Sequence, residues 1–295
     1  MKATNWKLGL STCGLNVDKA LFNEYAKAGI EEMEISFGRD VNPPLDWKNV
    51  PIWAKDAGVN LWSYHLPFLP FEQLNIASLN KELRDQTIEY CLELIKKASG
   101  MGIKIAVLHP SGEPNPDDVR EEMLKCASES IAELQVKSKP YGVTIAVEDL
   151  PRSCLGNHSS DIKKLISLND DLRVCFDTNH LLIQKNSDFI KDVGDKIITL
   201  HVSDYDFRNE QHWLPYEGKV DWVELVTLLE EVGYNGPFLY ELGLGASKFI
   251  ERRELTYADF RKNYEAVVNK KVPEILGKPV EEELEKRAYF KTIQF

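Results

Sequence analysis

The stretch Ile197–Trp222, IITLHVSDYDFRNEQHWLPYEGKVDW, contains a strand, a polar loop and the start of a helix. Its opening residues are mainly β-branched and apolar, which is typical of a strand covered on both faces. His201 lies near the end of that run, and Asp221 is placed to cap a helix that continues from Trp222. In α/β proteins, sites form in loops after the carboxyl ends of strands. This stretch therefore predicts one wall of an active site.

The same order of strand, loop and helix repeats along the chain. Apolar, β-branched runs alternate with amphipathic patterns that stop at glycines such as Gly29 and Gly58, and a loop with Asn42, Pro43 and Pro44 follows the second run. The predicted strands are Lys7–Thr12, Ile30–Ser36, Val59–Leu66, Ile103–Leu108, Val143–Val147, Leu172–Phe176, Ile197–Val202 and Phe238–Tyr240. The predicted helices between and after them are Asp18–Ala28, Asp46–Ala57, Leu79–Ser99, Pro116–Ser138, Asp161–Leu168, Ser187–Val193 and Asp221–Val232.

Eight such units in 295 residues favour an α/β fold of the (β/α)8 TIM-barrel type over a doubly wound sheet. The turn after the first strand also lacks the G-x-G-x-x-G pattern of a dinucleotide-binding sheet. We expect one TIM-barrel domain over residues 1–295, with the barrel at about 7–245 and a helical extension at about 246–295. Helical patterns at Tyr257–Asn269 and Val280–Tyr289 belong to that extension.

Composition narrows the class of protein. The chain is 43% hydrophobic and 28% charged, as in globular proteins, and its formal net charge of −11 argues against a nucleic-acid partner. It has no apolar run long enough to span a membrane, and its first residues lack the apolar core of a signal peptide. The five scattered cysteines suggest neither a disulfide framework nor a cysteine zinc site. We therefore predict a cytoplasmic protein with no membrane partner.

Polar side chains end several predicted strands. Glu148, Asp177 and Glu241 each follow an apolar run, so a barrel would bring three carboxylates to one partly buried mouth. Carboxylates placed in this way repel one another and are costly to bury unless a cation is present. With His201 they make a mixed oxygen and nitrogen ligand set, which predicts one divalent cation: Mn²⁺ first, with Mg²⁺, Co²⁺ or Zn²⁺ as alternatives.

Each polar residue also has a structural interpretation. His65 and His109, which also end strands, are more often hydrogen-bonded histidines than ligands when they occur singly. The segment from Asp177 to His180 is compatible with an Asx turn and a helix cap. The charges of the loop after the seventh strand are individually typical of solvated loop residues: Asp204, Asp206 and Glu210. Separate structural roles do not explain why polar residues end so many of the predicted strands, and this favours a shared site.

The ordered segments VEDL (147–150), FDTNH (176–180), HVSD (201–204), HWLPYEGKVDW (212–222) and YEL (240–242) resemble the xylose isomerase-like TIM barrels, the sugar (phosphate) isomerase/epimerase group. Ketose 3-epimerases of that group hold one metal with Glu, Asp, His and Glu. The resemblance implies that Glu148, Asp177, His201 and Glu241 bind the metal, and that Glu148 and Glu241 are also the catalytic acid and base. His180, three positions after Asp177, is implied to contact the sugar. We assign substrate binding to His65, His109, Arg152, His180 and His212.

The expected reaction moves a proton within a sugar. A metal that chelates a carbonyl and a neighbouring hydroxyl stabilises the enediolate formed when the adjacent carbon loses its proton. Two carboxylates then remove and return that proton, which gives epimerisation or aldose–ketose isomerisation of a ketose or related keto-sugar. We expect a small sugar or sugar phosphate as substrate and a homo-oligomer as the assembly. Gly243, Gly245 and Lys248 are a candidate phosphate site, and an ordinary turn is the other interpretation.

Three alternatives stay open. One is a metal-assisted lyase or dehydratase acting on a keto-sugar or 3-keto-glycoside. Another is a zinc phosphodiesterase similar to endonuclease IV, although the acidic charge argues against a DNA backbone. The third is a non-catalytic carbohydrate-binding subunit, which has no need of an acid–base pair. The epimerase pattern has a Pro-Gly-x-Gly turn where Tyr216 replaces the first glycine, and only Arg208 lies near the position of its arginine. The endonuclease IV ligand order is matched by His65, His109, Glu148, Asp177, His180, His201, His212 and Glu241, with Glu210 in place of an aspartate.

Overall fold

Eight parallel strands form a barrel at the centre of the computed structural model, which describes residues 5–13, 15–36, 38 and 44–286. The hydrogen-bonded order is β7-β6-β5-β4-β3-β2-β1-β8. Beyond the end of β7, Val202 donates a backbone hydrogen bond to Leu239 (2.8 Å), which brings β7 beside β8. The predicted (β/α)8 barrel is confirmed. The strands are β1 (Leu8–Ser11), β2 (Glu32–Ser36), β3 (Asn60–His65), β4 (Ile105–Leu108), β5 (Thr144–Glu148), β6 (Arg173–Asp177), β7 (Ile197–His201) and β8 (Phe238–Tyr240).

Helices surround the barrel and cover its outer apolar face. Asp221, the predicted cap, accepts from the Glu224 amide, and Asp18, at the predicted start of the first helix, accepts from the Leu21 amide. The second helix begins later than predicted, at Val50, because the Asp46 carboxylate accepts hydrogen bonds from the next backbone amides and holds a turn. The helices are α1 (Lys19–Ala28), α2 (Val50–Ala57), α3 (Lys81–Gly100), α4 (Arg120–Ser138), α5 (Ser159–Leu165), α6 (Asn186–Val193), α7 (Trp222–Glu231), α8 (Tyr257–Val267) and α9 (Glu281–Glu285).

The segment after β8 has two parts. Helix α8 packs between α7 and α1, with the Tyr257 ring 5.0 Å from the Tyr25 ring, so it takes the position of the eighth barrel helix. The antiparallel pair β9 (Ile250–Glu251) and β10 (Lys278–Pro279), which the sequence pattern did not reveal, joins α9 as an addition to the barrel. The predictions for Asn42 and Pro43, and for residues 287–289 of the last helix, lie outside the described residues.

Two irregularities in the sheet set the direction of site side chains. The ladders β2–β3 and β6–β7 each contain a register shift, which leaves Trp62 and Ile198 as extra residues. Such irregularities change the face to which the following side chains point. Both extra residues pack against a small apolar cluster inside the barrel, and beyond them His65 and His201 reach the carboxyl end of the barrel. The interior cluster consists of Ile105, Val107, Ala146 and Cys175.

No helix within the described ranges is both long enough and apolar enough to cross a membrane.

Candidate active site

Four side chains from neighbouring strand ends meet at the carboxyl end of the barrel. Glu148 ends β5, Asp177 ends β6, His201 ends β7 and Glu241 directly follows β8. One ligand atom from each lies within 4.8 Å of the others, and all four residues are buried. His201 Nδ1 is 2.8 Å from Glu148 Oε1 and 3.3 Å from Glu241 Oε2. We refer to these residues as the four-residue cluster.

The donor atoms of this cluster fit a divalent cation. Asp177 Oδ1 accepts a hydrogen bond from the Asn179 amide (2.7 Å), but Oδ2 is buried and has no hydrogen-bond partner. Burial, together with the negative charges of Glu241 and Glu148, raises the pKa of Asp177 well above its usual range. A cation among these oxygens would remove the repulsion, and three carboxylates with one imidazole are ligands that such ions accept.

Two histidines surround the carboxylate of Glu148. His65 Nε2 lies 3.2 Å and His109 Nε2 lies 3.1 Å from Glu148 Oε2. Burial alone would lower the pKa of His65, but the hydrogen bond to Glu148 and the surrounding carboxylates raise it to about 9. Burial alone would likewise raise the pKa of Glu148, yet the charges and hydrogen bonds of His201 and His109 lower it well below its usual range. Glu148 is therefore held as a carboxylate.

A second group of ligand-type side chains lies beside the first: His180, Glu210 and His212. His180 Nε2 is 3.5 Å from Asp177 Oδ2 and 3.6 Å from Glu210 Oε2. Its Nδ1 is 2.8 Å from the Asp149 carbonyl, so the proton of a neutral ring lies on Nδ1 and Nε2 faces the carboxylates. Burial is the largest effect on this ring and lowers the pKa of His180, which favours the neutral form.

Arg152 lies at the wall of the site, with its charge already paired. Its guanidinium donates two hydrogen bonds to Glu113 (2.8 and 2.5 Å) and one to Asn209 (2.9 Å), and it lies 3.0 Å from Glu210 Oε1. The backbone of Arg152 has φ = 52°, a conformation that non-glycine residues seldom adopt. The local fold therefore holds Arg152 in one defined position between two carboxylates.

A cavity of about 390 Å³ opens above the four-residue cluster. Glu148, Glu241 and four histidines line it together with an apolar wall. Phe68 stacks on the His109 ring, with 4.0 Å between the ring centroids. The arrangement is a concave site in which polar groups and apolar side chains face one volume, as in small-molecule sites. The apolar wall is formed by Phe68, Leu69, Phe71, Leu150 and Pro151.

The sequence of residues 22–257 matches the family model described as xylose isomerase-like TIM barrel. The chain belongs to this family.

The relatives of this xylose isomerase-like barrel differ in the activity that their names state. The uncharacterized protein MJ1311 of Methanocaldococcus jannaschii is 28% identical over 214 residues, which are 70% of this chain and 71% of that protein. A probable endonuclease 4 of Aquifex aeolicus is 29% identical over 145 residues, 45% of this chain and 49% of that protein. An inosose isomerase of Bacillus velezensis is 26% identical over 163 residues, 52% of this chain and 58% of that protein. The isomerases among these relatives support the conclusion that this chain is an enzyme.

Solved structures share the fold of this xylose isomerase-like barrel. A D-tagatose 3-epimerase-like protein superposes with a TM-score of 0.74 at 23% identity, covering 90% of this chain and 98% of that one. The apo form of the 3-keto-D-glucoside 4-epimerase YcjR from E. coli superposes with a TM-score of 0.70 at 19% identity, covering 90% of this chain and 100% of that one. At these identities the likeness concerns the fold.

The xylose isomerase-like barrel places every predicted site residue at or beside the cavity. The ligand and substrate roles assigned to them stay predictions. The contacts of Lys248 argue against the predicted phosphate site. Its Nζ lies 3.6 Å from Glu283 and over the Phe249 ring (5.0 Å to its centroid), so its charge already has partners. Among the aromatic residues, Phe68 lines the cavity, whereas Trp213 and Trp222 are buried in apolar clusters.

The interpretation of Asp204, in the loop after β7, as a solvated charge is wrong. Asp204 is fully buried rather than a solvated loop charge, and Asp206, which was given the same interpretation, is buried as well. Asp204 Oδ1 accepts hydrogen bonds from the amides of Tyr205 (2.8 Å) and Val220 (3.1 Å). Its Oδ2 accepts from the Tyr216 amide (2.8 Å) and from Trp222 Nε1 (2.8 Å). One carboxylate thus holds the loop of the xylose isomerase-like barrel that carries Glu210 and His212.

Sequence reasoning missed Glu34, which lies on β2 and contacts His201 Nε2 (3.0 Å). The local pattern concealed it, because Glu32 and Glu34 alternate with Met33 and Ile35 as charges on a solvated strand face do. Charged residues are almost never fully buried unless they are paired. The partner lay far away in sequence, however, and no local pattern identified it.

Proposed function

We propose that this chain is a divalent-metal-dependent sugar isomerase or epimerase acting on a ketose or related keto-sugar. The observation that carries the proposal is the position of Glu148 and Glu241. Both carboxylates line the same cavity and contact the same nitrogen of His201, at 2.8 and 3.3 Å. The names of the inosose isomerase relatives and the fold of the sugar epimerases agree with this class of reaction.

The residues proposed to hold the cation are the four-residue cluster, and Mn²⁺ is the ion we expect. When bound, a divalent cation stabilises the negative charge that develops on the carbonyl and hydroxyl oxygens of a sugar. The ligand set matches an oxygen-preferring ion, because three of its four members are carboxylates. Asp177 Oδ2 is buried and accepts no hydrogen bond, which supports the assignment of Asp177 as a ligand.

Glu148 and Glu241 are the proposed acid–base pair. One carboxylate removes the proton from the carbon beside the sugar carbonyl, and the other supplies a proton to the opposite face or to the neighbouring carbon. The first outcome is epimerisation and the second is isomerisation. His65 and His109 fix the orientation of Glu148 through contacts of 3.2 and 3.1 Å, so this carboxylate stays directed at one point in the cavity.

The remaining lining residues are proposed to hold the sugar. His180 and His212 border the cavity with Glu241, and the apolar wall borders the same cavity. Such a wall suits the C–H face of a sugar ring and limits the entry of water. Arg152 is proposed to contact a sugar hydroxyl while it keeps its two carboxylate partners.

Hydrogen exchange tests this proposal. Metal content is measured by elemental analysis, and the same samples are incubated in heavy water with a panel of ketoses. We expect one divalent ion per chain and deuterium incorporation beside the carbonyl, which Glu241→Gln abolishes. Glu231→Gln, on the exposed surface of α7, is the matched control and should exchange like wild type. Exchange that survives Glu241→Gln would contradict the assigned pair, and mass spectrometry would reveal loss of water if the reaction is an elimination.

A second candidate function is that of a polynuclear metal phosphodiesterase. The group His180, Glu210 and His212 favours it, because this group adds a further set of potential ligands beside the first. Relatives named probable endonuclease 4 agree with it. The charge opposes it: of the lysines and arginines in the described part of the chain, Arg152 alone lines the cavity, and two carboxylates pair with it. More than one zinc ion per chain, with cleavage of a labelled DNA duplex, would favour this function.

A cytoplasmic location and a homo-oligomeric assembly stay predictions from the sequence.

A further inference from the structure

Glu34 is a carboxylate inside the barrel, below the four-residue cluster. It has no solvent exposure, and neither a lysine nor an arginine pairs with it in the described ranges. Burial of a carboxylate is costly unless hydrogen bonds and a charge partner compensate for the lost water. The residue is therefore held there by specific contacts, and those contacts indicate its role.

The contacts of Glu34 involve one hydroxyl and one imidazole. Ser63 Oγ donates a hydrogen bond to Glu34 Oε2 (2.7 Å), because the register shift in β3 places Ser63 beside Glu34. His201 Nε2 lies 3.0 Å from Oε1 and 3.2 Å from Oε2 of the same carboxylate. The ring is itself fully buried, so its second nitrogen has no access to water.

The two nitrogens of His201 face different partners. Nε2 faces Glu34, whereas Nδ1 faces Glu148 and Glu241 of the four-residue cluster. Glu34 supplies no ligand atom to any of the metal-type clusters found among the described residues. A neutral imidazole has one protonated and one unprotonated nitrogen, and only the unprotonated one can bind a metal. In this geometry Nε2 is placed to donate a hydrogen bond to Glu34, and Nδ1 is placed to act as the ligand atom.

We infer that Glu34 is a positioning residue: it accepts the Nε2–H hydrogen bond of His201 and so directs the unprotonated Nδ1 at the cation. This inference rests on the metal site of the proposed function. A carboxylate behind a ligating histidine fixes the tautomer and ring orientation and makes the ligand more basic. Ser63 in turn holds Glu34, so a chain of two hydrogen bonds links β3 and β2 to the metal ligand on β7.

The test compares Glu34→Gln with Glu32→Gln. Glu32 lies on the same strand, is also buried, and hydrogen-bonds Lys7 Nζ and Asn60 Nδ2 instead of a site residue. Both changes keep the size of the side chain and remove one charge. Binding of MnCl₂ is measured by isothermal titration calorimetry, with circular dichroism as a check that each variant is folded. We expect Glu34→Gln to weaken metal binding about 10- to 100-fold, and Glu32→Gln to bind like wild type.

The tautomer is measured separately. Protein labelled with ¹⁵N-histidine and loaded with diamagnetic Zn²⁺ is studied by long-range ¹H–¹⁵N correlation, with His201→Gln identifying the signal. A proton on Nε2 of His201 supports the inference, and a proton on Nδ1 overturns it. Unchanged affinity in Glu34→Gln, or an equal loss in Glu32→Gln, also overturns it while leaving the metal site intact. Absence of metal binding in wild type would overturn the proposed function itself.

Discussion

Trp62 Nε1 donates a hydrogen bond to Thr199 Oγ1 at 3.1 Å, inside the barrel. The bond joins β3 and β7, the strands that carry the two extra residues of the sheet. His65 follows Trp62 on β3 and His201 follows Thr199 on β7, so the bond lies beneath two histidines of the site. The positions of these histidines therefore depend on a contact that is remote from the cavity.

A double-mutant cycle tests this contact. Trp62→Phe removes the donor, Thr199→Val removes the acceptor, and the double variant removes both. Each single variant should lower the free energy of unfolding, because it leaves a buried polar group without its partner. We expect a coupling energy of about 1 kcal/mol from urea unfolding. Strictly additive effects would show that the two side chains act independently.

Asp204→Asn should destabilise the protein by about 2–4 kcal/mol, because an amide nitrogen would replace one carboxylate oxygen that accepts two N–H groups. Asp206→Asn is the matched control. Its Oδ1 accepts from the amides of Arg208 and Asn209, but Oδ2 has no hydrogen-bond partner and tolerates an NH₂ group. Urea unfolding of both variants provides the comparison. Equal losses in the two variants would contradict the structural role given to Asp204.

Asp177→Asn should have opposite effects in metal-free and metal-loaded protein. Without metal, the change removes one of three mutually repelling buried carboxylates, so the variant should unfold at a higher temperature than wild type in EDTA. With metal, wild type should gain about 2.7 kcal/mol at a cation concentration near 100 times its Kd, and the variant should gain less. Thermal unfolding with EDTA and with MnCl₂ measures both. A lower unfolding temperature of the variant in EDTA would contradict the repulsion argument.

The capping box of α8 predicts a pH dependence. Asp259 accepts hydrogen bonds from the Thr256 amide and hydroxyl (both 2.8 Å) and pairs with Arg253 (2.7 Å). The hydrogen bond from Arg253, followed by those from Thr256, lowers the pKa of Asp259 below its ordinary value of 3.8. The stabilisation is therefore complete above pH 3.8 and is lost as the pH falls through the lowered pKa.

Asp259→Asn should cost about 1–2 kcal/mol at neutral pH, since it weakens both the cap and the ion pair. The difference from wild type should narrow as the pH falls below 3.8. Urea unfolding from pH 7 downwards measures that difference. A difference that stays constant across the range would show that the charge of Asp259 contributes nothing.

The sequence predicted the features that depend on local pattern and order. Apolar runs located the eight strands, and the polar residues at the ends of six of these runs located residues at or beside the cavity, from His65 to Glu241. Such inference works because a parallel barrel brings all carboxyl ends of its strands to one face.

What escaped prediction depends on contacts between distant residues. Glu34 lies 167 positions from His201, and its burial follows only from closure of the barrel. The register shifts at Trp62 and Ile198 break the simple alternation of strand faces, so the pattern alone could not assign the inward residues. Asp204 looked like an ordinary loop charge because its four donors come from backbone amides and an indole that the fold alone assembles.

The ion pairs of Arg152 also bear on protein engineering. Glu113 comes from the connection after β4, Arg152 from the one after β5, and Glu210 from the one after β7. Transplanting any one of these connections from a related barrel would break at least one of the two ion pairs. Redesign of substrate specificity in this scaffold should therefore exchange the three connections together, so that both ion pairs are kept.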